Sequence, residues 1–162
     1  MDLVEHLNKL GKEVKKAYPD INYGGCCVYA AIVVKELQKL NVPAQGIVAS
    51  HAACDDEVTI DEVRNIIQNN SIHDWQNNGI SFSHVGVEFR VNKTVYHYDT
   101  SGAKKARGLG TLDGMPVYQG RLTLREMEEL AGTDSGWNDT FNRRCIPGLK
   151  RLVKASFQGV TV

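Results

Sequence analysis

Two segments of alternating or β-rich character, residues 80–91 and 94–99, are separated only by Asn92-Lys93, and a period of two on both sides of so short a gap leaves few folds open. The pattern predicts an antiparallel hairpin, although Asn-Lys is a weaker turn signal than Asn-Gly. With a two-residue loop Val91 faces Thr94, Phe89 faces Tyr96, Val87 faces Tyr98 and Gly86 faces Asp99. One face of the hairpin is then apolar. The other carries His84, Gly86 and Glu88 opposite Asp99 and His97, with His84 and Asp99 as diagonal neighbours at a backbone separation of about 7–8 Å, which their side chains can bridge. A three-residue loop would turn Asp99 to the wrong face, so the pairing depends on the turn.

The rest of the chain supplies helices. Leu3, Leu7, Leu10, Val14 and Tyr18 recur at helical spacing among Lys and Glu, which predicts an amphipathic first helix with a structural role. A second helix is predicted over 26–40, with Cys26, Ala30, Val33, Val34, Leu37 and Leu40 on its buried face and Lys35, Gln38 and Lys39 on the other. Asn41 and Pro43 end it, and 44–50 reads as a short buried strand. Thr59 with Glu62 has capping-box spacing for a helix to 68, and Thr123 with Glu126 repeats the pattern for a helix to 131. Pro147 is placed at the start of a terminal helix over 147–157. Residues 100–120, glycine-rich and aperiodic, read as a long loop that either borders a site or is a plain surface excursion.

Nineteen basic and nineteen acidic residues balance to a formal net charge of zero, so no global field draws the chain to nucleic acid or to a membrane. Residues 1–18 lack the apolar core of a secretory signal, and the most apolar run, 28–34, is too short to span a bilayer. The expectation is a single domain over 1–162 in the cytoplasm, with free thiols rather than disulfides. The basic residues near the C-terminus, Arg143, Arg144, Lys150, Arg151 and Lys154, read first as a solvated face. His51, Cys54, Asp55 and Asp56 cluster in sequence, but no CxxC or HxxxH spacing supports zinc, and no metal is assigned.

Chemistry concentrates at Tyr23-Gly24-Gly25-Cys26-Cys27, where a glycine turn meets the first residue of a helix. Backbone N–H groups at a helix start lack intrahelical partners and present partial positive charge, which favours a thiolate there. The glycines permit unusual backbone angles and close approach of a substrate. Cys26, His84 and Asp99 together supply a nucleophile, a base for its proton and a carboxylate to orient the imidazole. The plainer alternatives are a buried core thiol, a structural histidine and an aspartate that caps the turn into Thr100-Ser101-Gly102.

Three stretches resemble the transglutaminase-like family of the papain-like cysteine-protease superfamily. The segment from Tyr23 to Ala31 is similar to Y-G-Q-C-W-V-F-A-A, and Leu40-Asn41-Val42-Pro43-Ala44 to L-G-I-P-[TSA]. His84-Val85-Gly86-Val87-Glu88 is similar to H-x-W-x-E, and Tyr98-Asp99-Thr100 to D-P-T. The resemblance covers about residues 22–101 and leaves the first helix unexplained. It implies an α+β fold with a papain-like core, N-terminal helices and the nucleophile helix packed on an antiparallel sheet. It also implies a catalytic triad of Cys26, rather than Cys27, with His84 and Asp99, no cofactor, and a protein, peptide or small amide as substrate. The Cys26 backbone N–H is the expected first oxyanion donor, with Asn22, Tyr23 and Gly25 around the second position. Cys27 and Gly86 stand where the family has tryptophan, and Gly25 where it has glutamine. Loss of that aromatic cover suits either a bulkier acyl group or a catalytically silent scaffold that binds a protein partner.

Overall fold

The computed structural model describes residues 2–22, 24–51, 69, 81–106, 117–132 and 140–160. Within them the chain runs α1 (Leu3–Ala17), α2 (Cys26–Lys39), β1 (Ala44–His51), β2 (Ser81–Val91), β3 (Thr94–Asp99), β4 (Gly102–Lys105), β5 (Val117–Leu122), α3 (Leu124–Gly132) and α4 (Thr140–Ser156). The strands form one antiparallel sheet in the order β4-β3-β2-β1-β5, and the helices pack on it. The fold is α+β. The helix expected over 59–68, Tyr23, and Cys54, Asp55 and Asp56 lie outside the described residues.

The β2–β3 hairpin has the register that its alternation predicts. Val91 pairs with Thr94, Phe89 with Tyr96 and Val87 with Tyr98, around a two-residue loop. Asn92 and Lys93 take φ of 48° and 68°. Positive φ at both central residues is the type I′ geometry, whose twist matches that of the flanking strands, so Asn-Lys does here what Asn-Gly does more cheaply. Val85, Val87, Phe89 and Tyr98 then enter the core, and Phe89 stacks on Tyr96 at 5.3 Å.

α2 is the centre of the domain. Every residue from Cys26 to Val34 is buried, together with Glu36 and Leu37, so the burial extends well beyond the single face that its spacing suggests. Its end is a Schellman motif. Asn41, at φ 59°, donates its N–H to the Gln38 carbonyl, and Val42 donates to the Leu37 carbonyl, which uses up carbonyls that would otherwise be stranded. Val42 and Leu37 are both buried and complete the apolar contact of that motif.

Two expectations need correction. Residues 100–120 are not one long loop, because β4 pairs with β3 and β5 pairs with β1. Gly-Ala-Lys-Lys has little β propensity, but its lysines suit an exposed edge strand that must not recruit another chain. Pro147 does not open the terminal helix, which begins at Thr140 and carries the proline in its interior. Leu149 and Val153 of that helix are fully buried, and this packing outweighs the hydrogen bond that a proline removes. The capping box before α3 forms as predicted, with Thr123 Oγ1 accepting the Glu126 N–H at 3.2 Å and Glu126 Oε1 receiving the Thr123 hydroxyl at 2.8 Å.

Gly46 of β1 lies beneath α3 with no room to spare. A Cβ there would fall 2.5 Å from Met127 Sδ and 3.0 Å from Leu122 Cβ, and both neighbours are buried. Gly46→Ala is expected to lower the unfolding free energy by about 1–3 kcal/mol in urea denaturation, the usual cost of overpacking.

Candidate active site

Gly24 and Gly25 deliver the chain to the start of α2 in different ways. Gly24 has φ 90°, in the region that favours glycine, whereas Gly25 has an ordinary φ of −97° and is the N-cap residue. Its carbonyl accepts the Tyr29 N–H at 3.0 Å, and it has no side chain with which to cap the first turn. Cys26 is therefore the first helical residue, beside N–H groups that a ligand oxyanion can use.

The two adjacent thiols differ. Cys27 has no exposed surface, its Sγ points to the Met127 carbonyl at 3.5 Å, and burial, with the neighbouring Cys26 charge, pushes its pKa up to about 12. Such a thiol stays protonated and inert. Cys26 is 4% exposed, and it is among the groups that raise the His84 pKa.

His84 and Asp99 meet as the hairpin register requires. His84 Nε2 lies 2.9 Å from Asp99 Oδ2, and both side chains are mostly buried. That contact uses Nε2, so Nδ1 is the ring nitrogen left for another partner. Burial alone would depress the His84 pKa, but the hydrogen bonds to Asp99 and Cys26, then their charges, raise it to about 9. A raised pKa favours the imidazolium at neutral pH. Asp99 shows the opposite balance: burial raises its pKa, yet hydrogen bonds from His84 and Ser101 bring it below the usual value.

Asp99 also caps a turn, so its two sequence-level readings hold at once. Oδ1 accepts the Ser101 N–H at 2.7 Å and the Ser101 hydroxyl, while Oδ2 is left for His84. Fixing one oxygen orients the other. Ser101 takes its place in the turn that the sequence offers Asp99 to cap, an Asp-x-Ser side-chain pattern. Asn22 is exposed, and its Oδ1 receives the Thr100 hydroxyl at 3.4 Å. Tyr98, next to Asp99, shares a hydroxyl–hydroxyl hydrogen bond with Tyr29 of α2, which ties the strand that bears the carboxylate to the helix that bears the thiol.

Four residues further along β2 from His84 lies a second polar cluster, around Glu88. Glu88 receives Gln45 Nε2 at 2.8 Å and a two-pronged contact from Arg121, Nε at 2.9 Å and Nη2 at 3.1 Å, and it pairs with His97 Nε2 at 3.0 Å. The His97–Glu88 pairing follows from the hairpin. Gln45 and Arg121 could not be foreseen, because they depend on β1 lying between β2 and β5. Burial raises the Glu88 pKa, but the hydrogen bonds from Arg121, Gln45 and His97 bring it down to about 2. Among the described residues no group of three or more His, Cys, Asp or Glu is placed to hold a metal ion.

No protein-family model matches the chain, and no curated protein and no solved structure shows significant similarity to it. Among the described residues no helix is long and apolar enough to cross a membrane.

The depressed Glu88 pKa has a defined consequence for stability. A carboxylate held below its unfolded value of 4.5 contributes stability that is complete above that pH and is lost as pH falls toward about 2. Glu88→Gln is expected to flatten the pH dependence of urea unfolding between those limits. An unchanged slope would mean that the carboxylate is not held by these partners.

Proposed function

We propose that this chain is a thiol acyl-transfer enzyme with a transglutaminase-like, papain-like core, acting as a cysteine peptidase, isopeptidase or amidase on a protein, peptide or small amide. The observation that carries this reading is the His84 Nε2 to Asp99 Oδ2 contact at 2.9 Å, on an imidazole that also feels the thiol at the head of α2. An imidazolium at neutral pH beside a cysteine at a helix N-terminus is the resting state that thiol catalysis needs.

In the proposed cycle the Cys26 sulfur attacks the carboxamide carbon and forms a C–S bond. Charge gathers on the carbonyl oxygen, where the Cys26 N–H and the helix start stabilise it. The His84 proton passes to the departing amine as the C–N bond breaks, leaving a thioester and a neutral imidazole. His84 then takes a proton from water, the hydroxyl adds to the thioester, and the carboxylic acid leaves with the thiolate restored. Asp99 keeps the ring oriented and stabilises its charged form. No cofactor enters this cycle, and a cytoplasmic site, where thiols stay reduced, suits it.

The competing reading, a silent scaffold that holds a protein partner, draws on the 4% exposure of Cys26 and on Gly86 in place of an aromatic cover. Alkylation separates the two. With iodoacetamide at neutral pH, peptide mapping is expected to show Cys26 labelled faster than Cys145 and Cys27 unlabelled in the folded protein. His84→Ala is expected to slow Cys26 labelling by roughly tenfold or more, the scale of losing a paired base. Equal, slow labelling in both proteins would overturn the enzyme reading and favour the scaffold.

A further inference from the structure

We infer that α1, which the family resemblance leaves unexplained, is a positioning element of the site: Asn8 and Gly11 hold the turn between β3 and β4 where Asp99 reaches His84. The inference rests on the reading of Cys26, His84 and Asp99 as one site. Its geometry consists of two contacts that share the same short turn.

At the first, Asn8 Oδ1 accepts the Ala103 N–H at 2.7 Å, just past the turn. The approach is close because residue 102 is glycine. Gly102 has φ 111°, and a Cβ on it would fall 2.8 Å from Asn8 Oδ1. β4 is an edge strand, so a side chain that takes up one of its N–H groups anchors an end of the sheet that has only one strand neighbour.

At the second, the helix backbone itself meets the turn. A Cβ on Gly11 would lie 3.0 Å from the Thr100 carbonyl oxygen and 3.4 Å from that of Asp99. The atoms it would press on are backbone, which cannot rotate away. Thr100 is 4% exposed and Gly11 is buried, so the contact is sealed. Leu7, Leu10 and Val14 bury the same helix in the core, which prevents α1 from backing off to relieve a bulkier residue.

Asn8 and Gly11 therefore bracket Asp99-Thr100-Ser101-Gly102, the segment in which Ser101 fixes one oxygen of Asp99 and leaves the other for His84. A displacement of a few tenths of an ångström here lengthens a 2.9 Å hydrogen bond on which the protonation of His84 depends. Neither residue touches the reacting atoms; both act through Asp99.

The test is the titration of the His84 ring by nitrogen-detected NMR in the full chain, its signal assigned by loss in His84→Gln. Wild type, Asn8→Ala, Asn8→Gln and Gly11→Ala are compared, with Lys12→Ala, an exposed change on the same helix, as the control. Wild type and Lys12→Ala are expected to titrate near 9. At least one Asn8 variant and Gly11→Ala are expected to retain the far-ultraviolet spectrum of the fold while the His84 midpoint falls clearly below that of the wild type, as the Asp99 contact loosens. Folded Asn8 and Gly11 variants with the wild-type midpoint would overturn the role of α1 and leave the site reading intact. A wild-type midpoint near 6.5 would overturn the pairing of His84 itself, a distinguishable failure.

Discussion

The structure depends on burying α2. A helix with Cys, Val, Tyr, Ala, Ile and Val in unbroken succession has no polar face over its first turns, and water is excluded only if other elements cover it on several sides. The sheet, α3 and α4 provide that cover. The consequence reaches the chemistry, because a helix held along its length has a fixed end. Cys26 sits at that end, where the backbone dipole is positive and no side chain of Gly25 competes for the N–H groups.

The second constraint is the turn at Asn92-Lys93. A strand register shifted by one residue exchanges its two faces, so the two positive-φ residues of this turn decide which residues of β3 lie beside His84 and Glu88. They place Asp99 against the first and His97 against the second. The two resulting pairs have opposite electrostatic characters. His84 gains a raised pKa from its partners, so its contribution to stability is complete below pH 6.5 and is lost as pH rises through about 9. Glu88 is depressed by Arg121, Gln45 and His97, and its contribution is lost only in acid. Both contributions are complete together only between about pH 4.5 and 6.5, and each fades outside that range on its own side.

What the sequence reveals of this fold follows the range of the interactions involved. The hairpin register, the start of α2 and the capping box at Thr123 depend on residues close together in the chain, and all three are legible. The placement of β5 beside β1 is not, since nothing near Val117 or Ala44 names its distant partner, and Gln45 and Arg121 of the Glu88 cluster stay hidden with it. Pro147 misleads because its preference for a first helical turn is local, whereas the burial of Leu149 and Val153 that extends the helix past it is tertiary. At the candidate site, Cys26, His84 and Asp99 can be named from spacing and context. Asn8 and Gly11 cannot, because each acts through the shape of one turn rather than through its own chemistry.

The central claim is that Cys26 becomes acylated with His84 as its proton partner. The most direct measurement is rapid quench of the folded protein with p-nitrophenyl acetate, followed by peptide mapping of the acid-stable acetyl adduct. The account predicts a stoichiometric burst of nitrophenol with the acetyl group on Cys26, abolished in Cys26→Ala and slowed in His84→Ala. No burst, or acetyl groups only on Cys145 or on lysines at a rate indifferent to His84, would contradict it.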